Sequence, residues 1–174
     1  APVIVAKANL GTYPSRYWLI NSGNANAATG VPGLEDARAT CALVAEHCGV
    51  EAGSVLPFST GVIGERMPLD AFQRGIRAAC DDLSEDGWDG AASAIMTTDT
   101  LPKGGSRTLE FNGKTITMTG IVKGAGMIRP DMATMLAFVA TDAAIAQEVL
   151  DGCLLDAVER SFNRVTIDGD TSTN

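Results

Sequence analysis

The Asn112-Gly113 pair lies between two segments in which apolar and polar residues alternate. Asn-Gly favours the two-residue turn whose twist matches that of two antiparallel strands, because both residues tolerate positive φ angles. The segments Thr108–Phe111 and Lys114–Ile121 are therefore predicted to form a β-hairpin. A hairpin excludes a purely parallel sheet, so a chain that also contains helices must adopt a mixed fold.

Helical periodicity is clearest from Leu34 to Cys48, where apolar residues recur every three or four positions and Gly49 is placed to end the helix. Further helices are predicted from about Pro68, at Trp88–Met96 and at Ile145–Arg160. Strands are predicted at Val3–Ala8, Trp18–Asn21, Val55–Ser59, Met135–Ala140 and Val165–Ile167, and a polar loop at Asn21–Asn26. This order of elements predicts a mixed α/β or α+β fold in which helices and sheets form layers.

The charge balance restricts the classes of partner. The 174 residues include 13 basic and 21 acidic side chains, for a net charge of −8, and no run of Lys and Arg. Nucleic acid and anionic membrane surfaces are therefore poor candidate partners. No apolar run approaches the ~20 residues that a membrane-spanning helix needs.

Cysteine and histidine content argues against a metal site. The four cysteines form no CxxC pair, and His47 is the single histidine. We predict free thiols and a reducing compartment. His47 falls off the apolar stripe in the last turn of its helix, so we interpret it as a surface residue. Without a second histidine the chain offers no Ser-His-Asp set, and its glycines match no P-loop or dinucleotide-binding spacing.

Thr134 is the candidate nucleophile. The small residue Ala133 precedes it, the Gly-rich segment Lys123–Gly126 lies upstream and an apolar strand follows. This layout suits self-cleavage, in which the threonine hydroxyl attacks the preceding carbonyl and water then releases an N-terminal threonine. The new α-amino group, with a pKa of about 8, could serve as the base for the hydroxyl. On spacing alone, the pattern is more typical of a β-prone threonine in a core strand.

Several segments together carry a more specific signal, and they follow one another along nearly the whole chain. They resemble the ornithine acetyltransferase family, the glutamate N-acetyltransferases of arginine biosynthesis. The matching segments are Asn21–Asn26, Leu56–Glu65, Ile95–Thr100, Lys123–Phe138 and Val165–Asn174. One departure is Ala28, where the family has a cysteine, and another is that the family's start and most of its second subunit are absent.

The resemblance implies a self-processing N-terminal-threonine enzyme. It implies a cut between Ala133 and Thr134, so that residues 1–174 belong to one catalytic domain, with 1–133 in the α chain and 134–174 beginning the β chain. Thr134 would take the acetyl group of N-acetylornithine and pass it to glutamate in a ping-pong reaction. No dissociable cofactor or metal is implied, and acetyl-CoA as an additional acetyl donor stays open. Two αβ units would pair as a heterotetramer, in the cytoplasm or, in a eukaryote, in the mitochondrial matrix.

The resemblance also assigns roles to single residues. Thr60 and Gly61 match the family's oxyanion-hole pair, and Thr100 and Lys123 match positions that contact substrate. From the residues alone, Ser59-Thr60-Gly61 is also typical of a turn after a strand, and Lys123 of a solvated loop. Asp168 and Asp170 flank a glycine as in an ordinary turn, so they are left out of the catalytic set.

Two alternatives remain for function. One is another self-cleaving enzyme, an amidohydrolase or aminopeptidase, which would release the acyl group to water rather than to glutamate. The other is a non-catalytic binding domain in which Thr134 stays internal.

Overall fold

The computed structural model describes residues 1–129 and 135–171, which form two compact units. The first unit comprises Ala1–Gly87, and the second begins at Trp88. The helices are α1 (Pro2–Leu10), α2 (Gly30–Cys48), α3 (Leu69–Asp81), α4 (Trp88–Ala94) and α5 (Gln147–Arg160). The strands are β1 (Tyr17–Asn24), β2 (Val55–Val62), β3 (Lys103–Phe111), β4 (Lys114–Lys123) and β5 (Leu136–Thr141). The prediction of a mixed α+β fold is confirmed.

The first unit is built on a parallel pair of strands. β1 pairs with β2, with Tyr17 opposite Val55, and α2 provides the crossover that a parallel connection requires. Helices α1, α2 and α3 supply the side chains that enclose the core with β2. The fully buried core consists of Val5, Ala37, Cys41, Val44, Val55 and Ile76.

Helix α2 confirms the strongest helical prediction, although it begins four residues earlier than Leu34. Gly49 ends it in the left-handed conformation, with φ of 66°. His47 lies in the last turn, and its Nε2 is 2.8 Å from Oδ1 of Asp81 on the neighbouring helix. The interpretation of His47 as a structural residue near the surface therefore agrees with its contacts.

The prediction of a strand at Val3–Ala8 is wrong, because Pro2–Leu10 forms helix α1. Proline is well tolerated in the first turn of a helix, where its missing N–H has no intrahelical partner. Val5 is buried, and the side-chain amide of Asn9 donates to the carbonyl of Val55 at 2.9 Å. Val5 and Asn9 are four residues apart. A helix therefore brings both side chains close together on the face toward β2, whereas a strand would place them much farther apart.

The predicted loop at Asn21–Asn26 is also partly wrong, because β1 continues to Asn24. Asn21 to Asn24 pair with Ser59 to Val62 of β2, so this polar segment is ordered by backbone hydrogen bonds to its neighbour. Polar, Gly-rich composition predicts a loop only when no partner strand is available.

The second unit contains the antiparallel sheet β3-β4-β5. Asn112 and Gly113 both have positive φ, at 52° and 72°, as the predicted hairpin turn requires. Phe138 of β5 lies opposite Ile121 of β4, and both are buried. The strand predicted at Val165–Ile167 is wrong: among the described residues Ile167 forms an isolated bridge with Ile128, and a 3-10 helix at Phe162–Arg164 precedes the segment.

The four cysteines are free thiols, as predicted, and the Sγ atoms of Cys48 and Cys80 lie 3.3 Å apart between α2 and α3. Among the described residues, no helix combines the length and apolar character needed to cross a membrane.

Candidate active site

The residues predicted to form the site fall in both units. Thr60 and Gly61 lie near the carboxyl end of β2 in the first unit, whereas Thr100 and Lys123 belong to the second. Ala133 and Thr134, the predicted cleavage pair, lie outside the described residues.

The carboxyl end of β2 is shaped by a close approach of two backbones. Thr60 is buried, with 4% of its surface exposed, and Gly61 lies opposite Gly23 of β1. Gly61 has a φ of 132°, and a Cβ atom there would lie 2.3 Å from the carbonyl carbon of Gly23. Only glycine fits this position, and the register of β1 and β2 shifts next to it, at Asn24.

Asn24 and Asn26 secure the chain after β2. The side-chain amide of Asn24 donates to the carbonyls of Glu65 and Arg66 at 3.2 and 3.0 Å, while its oxygen accepts the N–H of Asn26 at 2.8 Å. Asn26 is fully buried and donates to the carbonyl of Gly33 at 2.9 Å. The polar segment that resembled a family motif thus fixes the backbone at Glu65 and Arg66, a few residues after Gly61.

An ion pair braces the same region. The guanidinium of Arg66 donates two hydrogen bonds to Asp36 of α2, from Nε at 2.6 Å and from the terminal nitrogen at 2.7 Å. The Asp36 side chain is only 3% exposed, whereas that of Arg66 is 58% exposed. The hydrogen bonds from Arg66 outweigh the effect of burial, so the pKa of Asp36 lies below its ordinary value.

Acid should therefore remove part of the stability that Asp36 provides. The pKa of Asp36 is lower in the folded protein than in the unfolded chain. The stability that Asp36 contributes is therefore present above the ordinary carboxyl pKa of about 3.9, and it is lost as the pH falls through the pKa of the folded state. Replacing Asp36 with Asn should lower the free energy of unfolding by about 1–2 kcal/mol at neutral pH, a modest value because Arg66 is largely in solvent.

Urea unfolding of the wild type and of Asp36→Asn between neutral and strongly acidic pH measures this difference. The difference in free energy of unfolding between the wild type and Asp36→Asn should disappear toward low pH. Asp82→Asn, which removes an exposed carboxylate, should show no such difference from the wild type. A difference that stays constant with pH would show that Asp36 contributes by packing rather than by charge.

In the second unit, Lys123 is the last residue of β4 and is 4% exposed. Burial lowers the pKa of its ammonium group, the nearby Asp99 acts in the opposite direction, and Lys103 lowers it further. Lys123 is thus a buried lysine, not the solvated loop lysine that the sequence alone also allowed. Thr100 is exposed at the end of the Ile95–Thr100 segment, directly after the buried Asp99.

Asp168 serves the backbone of the segment that follows Lys123. Its Oδ2 accepts the N–H of Met127 at 2.8 Å, and its Oδ1 accepts the N–H of Asp170 at 3.2 Å. Asp168 and Gly169 both have positive φ, as in a tight turn. The interpretation of this segment as a turn is therefore confirmed. No three metal-ligating side chains cluster within residues 1–129 and 135–171.

A sequence profile of the ArgJ family matches residues 1–174. The chain belongs to the ArgJ family. It is 58% identical over its full length to the arginine biosynthesis bifunctional protein ArgJ of Pseudomonas fluorescens (strain Pf0-1), of which it covers 43%. A relative of the same name from Pseudomonas syringae pv. tomato is 59% identical over 175 residues, again with 43% of its length covered. The chain thus spans less than half the length of these relatives.

Two solved structures of the ArgJ family resemble the fold. ArgJ from Bacillus halodurans matches with a TM-score of 0.68 and 38% identity, over 76% of this chain and 70% of that one. Ornithine acetyltransferase from Mycobacterium tuberculosis, solved as a complex with ornithine, matches with a TM-score of 0.64 and 34% identity, over 75% of this chain and 69% of that one.

In this ArgJ-family chain, some residues that hold the candidate segments in place could not be predicted from the sequence. Asn24 and the Asp36–Arg66 pair hold the chain just after β2 in the first unit, and Asp99 with Lys103 holds Gly124 in the second. Asn24 and Asp99 lie inside segments that carried the resemblance, which was the available signal. For Asp36, Arg66 and Lys103, which are ordinary charged residues in the sequence, no such signal existed.

Proposed function

We propose that the protein containing this chain transfers an acetyl group from N-acetylornithine to glutamate through Thr134. The observation that carries the proposal is the match to ArgJ proteins over the whole chain, at 58% identity. The name of the Mycobacterium tuberculosis relative, an ornithine acetyltransferase crystallised with ornithine, supports the substrate class.

Self-cleavage would generate the nucleophile. The Oγ of Thr134 attacks the carbonyl carbon of Ala133, the peptide C–N bond breaks, and the proton of the hydroxyl passes to the freed amine. Water then hydrolyses the resulting ester, which leaves a carboxylate on Ala133 and an N-terminal threonine on the second chain. The new amine has a pKa of about 8 and can accept the hydroxyl proton in the later reaction.

Acetyl transfer then takes two steps with the same chemistry. Thr134 attacks the acetyl carbon of N-acetylornithine, ornithine leaves with a proton, and an acetyl ester remains on the threonine. The amine of glutamate attacks this ester, which yields N-acetylglutamate and restores the hydroxyl. Because each attack creates an oxyanion, the reaction needs fixed hydrogen-bond donors.

Thr60 and Gly61 are the proposed oxyanion donors, through the threonine hydroxyl and the glycine backbone. Their support is the local geometry: Thr60 is buried, and the backbone at Gly61 is held against Gly23 by an approach that excludes any side chain. A rigid donor of this kind needs no reorganisation when charge develops.

Lys123 is proposed to bind the carboxylate that both amino-acid substrates carry, with Thr100 as a second substrate contact. Burial of Lys123 strengthens its attraction for an anion, because little water competes with the ligand.

The proposed reaction uses no dissociable cofactor or metal, and acetyl-CoA would be a second acetyl donor. We further propose that the cleaved α and β chains pair as a heterotetramer, in the cytoplasm or in a mitochondrial matrix.

Intact mass spectrometry of the full-length protein tests the mechanism. Two chains that meet between Ala133 and Thr134 are expected, and N-acetylornithine should add one acetyl group to the Thr134 chain. Adding glutamate should remove that group as N-acetylglutamate. Thr134→Ala should remain a single unacetylated chain, whereas Thr108→Ala, at an exposed threonine of β3, should behave as the wild type.

Each alternative predicts a different result of the same measurement. An uncut wild-type chain that gains no acetyl group would contradict the proposal and favour a binding domain. A cut chain whose acetyl group is released equally fast with and without glutamate would favour an amidohydrolase.

A further inference from the structure

The Asp99 side chain is a buried carboxylate in the second unit, next to Thr100 in the sequence. It has no exposed surface, and Lys103 pairs with it through Nζ. Its Oδ1 also accepts the N–H of Gly124 at 2.8 Å, and its Oδ2 accepts the N–H of Thr97 at 3.3 Å. A buried carboxylate is costly unless it is paired and hydrogen-bonded, so these partners explain how Asp99 remains charged.

Charge balance at Asp99 follows from these contacts. Burial by itself raises the pKa of Asp99, but the Lys103 ammonium and the N–H groups of Gly124 and Thr97 more than offset it, so the pKa lies below its ordinary value. Lys103 is 43% exposed and also donates to the carbonyl of Gly124 at 3.2 Å. Asp99 and Lys103 together therefore hold both the N–H and the carbonyl of Gly124.

This network flanks both predicted substrate contacts. Lys123 immediately precedes Gly124, and Thr100 immediately follows Asp99. Gly124 has a φ of 155°, and a Cβ atom on it would lie 2.7 Å from Cδ1 of Ile128, so its backbone is confined on a second side. A shift at Asp99 would therefore move the backbone that positions Lys123.

Lys103 also affects the electrostatics at Lys123. Asp99 raises the pKa of Lys123, whereas Lys103 lowers it. Because Lys103 pairs with Asp99, it offsets part of the negative charge that Asp99 places near Lys123.

We propose that Asp99 and Lys103 are positioning residues that hold the Lys123–Gly124 backbone in the place from which Lys123 binds the carboxylate of the amino-acid substrate. This inference rests on the proposed function and deepens it. The contacts of Asp99 and Lys103 are with each other and with the backbone of Thr97 and Gly124, so the inference assigns both to recognition of the substrate carboxylate rather than to the chemistry at Thr134.

Two acetyl donors separate this role from a general structural one. N-acetylornithine carries the carboxylate, whereas 4-nitrophenyl acetate delivers an acetyl group without one. In the full-length, cleaved protein, Asp99→Asn and Lys103→Met should lower the ratio of kcat/KM for N-acetylornithine to that for 4-nitrophenyl acetate by about tenfold or more. The loss should appear mainly as a higher KM for N-acetylornithine.

Matched variants complete the design. Lys103→Arg keeps the cation and should restore most of the ratio, and Lys114→Met, which removes an exposed lysine from the hairpin end of β4, should leave it unchanged. If Asp99→Asn fails to fold, Lys103→Met carries the test, because Lys103 is partly in solvent.

The outcomes distinguish the inference from the function on which it rests. A wild type that takes an acetyl group from N-acetylornithine, together with variants whose ratio is unchanged or whose rates fall equally with both donors, would overturn the positioning role alone. A wild type that takes no acetyl group from either donor would overturn the proposed function and this inference with it.

Discussion

Replacing Thr60 with alanine is expected to lower kcat for acetyl transfer from N-acetylornithine to glutamate by about 10²–10³-fold. The hydroxyl is one of the two proposed oxyanion donors, and the transition states of both acetyl-transfer steps carry the charge that it would stabilise. Thr60 is buried on a strand whose register is fixed by its parallel partner, so a water molecule cannot readily take the place of the hydroxyl. KM should change less than kcat, because the oxyanion forms only during the reaction.

Thr60→Ser is the matched control, because it retains the hydroxyl and loses one methyl group. It should keep most of kcat, while both variants should unfold at similar urea concentrations. Self-cleavage also passes through an oxyanion, so the rates must be divided by the fraction of chain that mass spectrometry shows to be cut. A Thr60→Ala protein that is cut, folded and as active as the wild type would exclude Thr60 from the oxyanion hole.

The parts of the fold that could be predicted from the sequence are those that local chemistry determines. The Asn112-Gly113 turn needs two positive φ angles, and few other dipeptides supply them at so small a cost. Helix α2 ends at Gly49 because the left-handed cap favours glycine. In both cases the signal lies within a few neighbouring residues.

The parts that could not be predicted depend on partners distant in the sequence. Helix α1 is decided by its contacts with β2, and the polar end of β1 by pairing with Ser59 to Val62. The carboxylate of Asp99 accepts a hydrogen bond from the N–H of Gly124, 25 residues later in the sequence, and no periodic pattern predicts such a contact. The resemblance assigned the candidate site segments but gave no information on how their backbones are held.

Replacing Gly61 with alanine should lower the free energy of unfolding by about 3 kcal/mol or more. Two costs combine. A φ of 132° lies where residues with a side chain are strained, and the added Cβ would lie 2.3 Å from the carbonyl carbon of Gly23 and 2.6 Å from the amide nitrogen of Asn24. Both atoms belong to backbone, so relief requires the ends of β1 and β2 to separate.

Comparison with Gly64→Ala isolates the cost of the collision between the added Cβ and the backbone. Gly64 has a φ of 87°, yet a Cβ atom there would meet nothing within 4 Å, so it suffers the backbone strain without the collision. Urea unfolding of the two variants should therefore show Gly61→Ala to be the less stable by about 1–3 kcal/mol, with equal dependence on urea. Because β1 and β2 must separate to admit the new methyl group, Gly61→Ala should also lose acetyl transfer while Gly64→Ala retains more of it. Equal stability of the two proteins would show that the strands do not approach as closely as the Gly23–Gly61 contact requires, and the backbone donor of the oxyanion hole would lose its structural support.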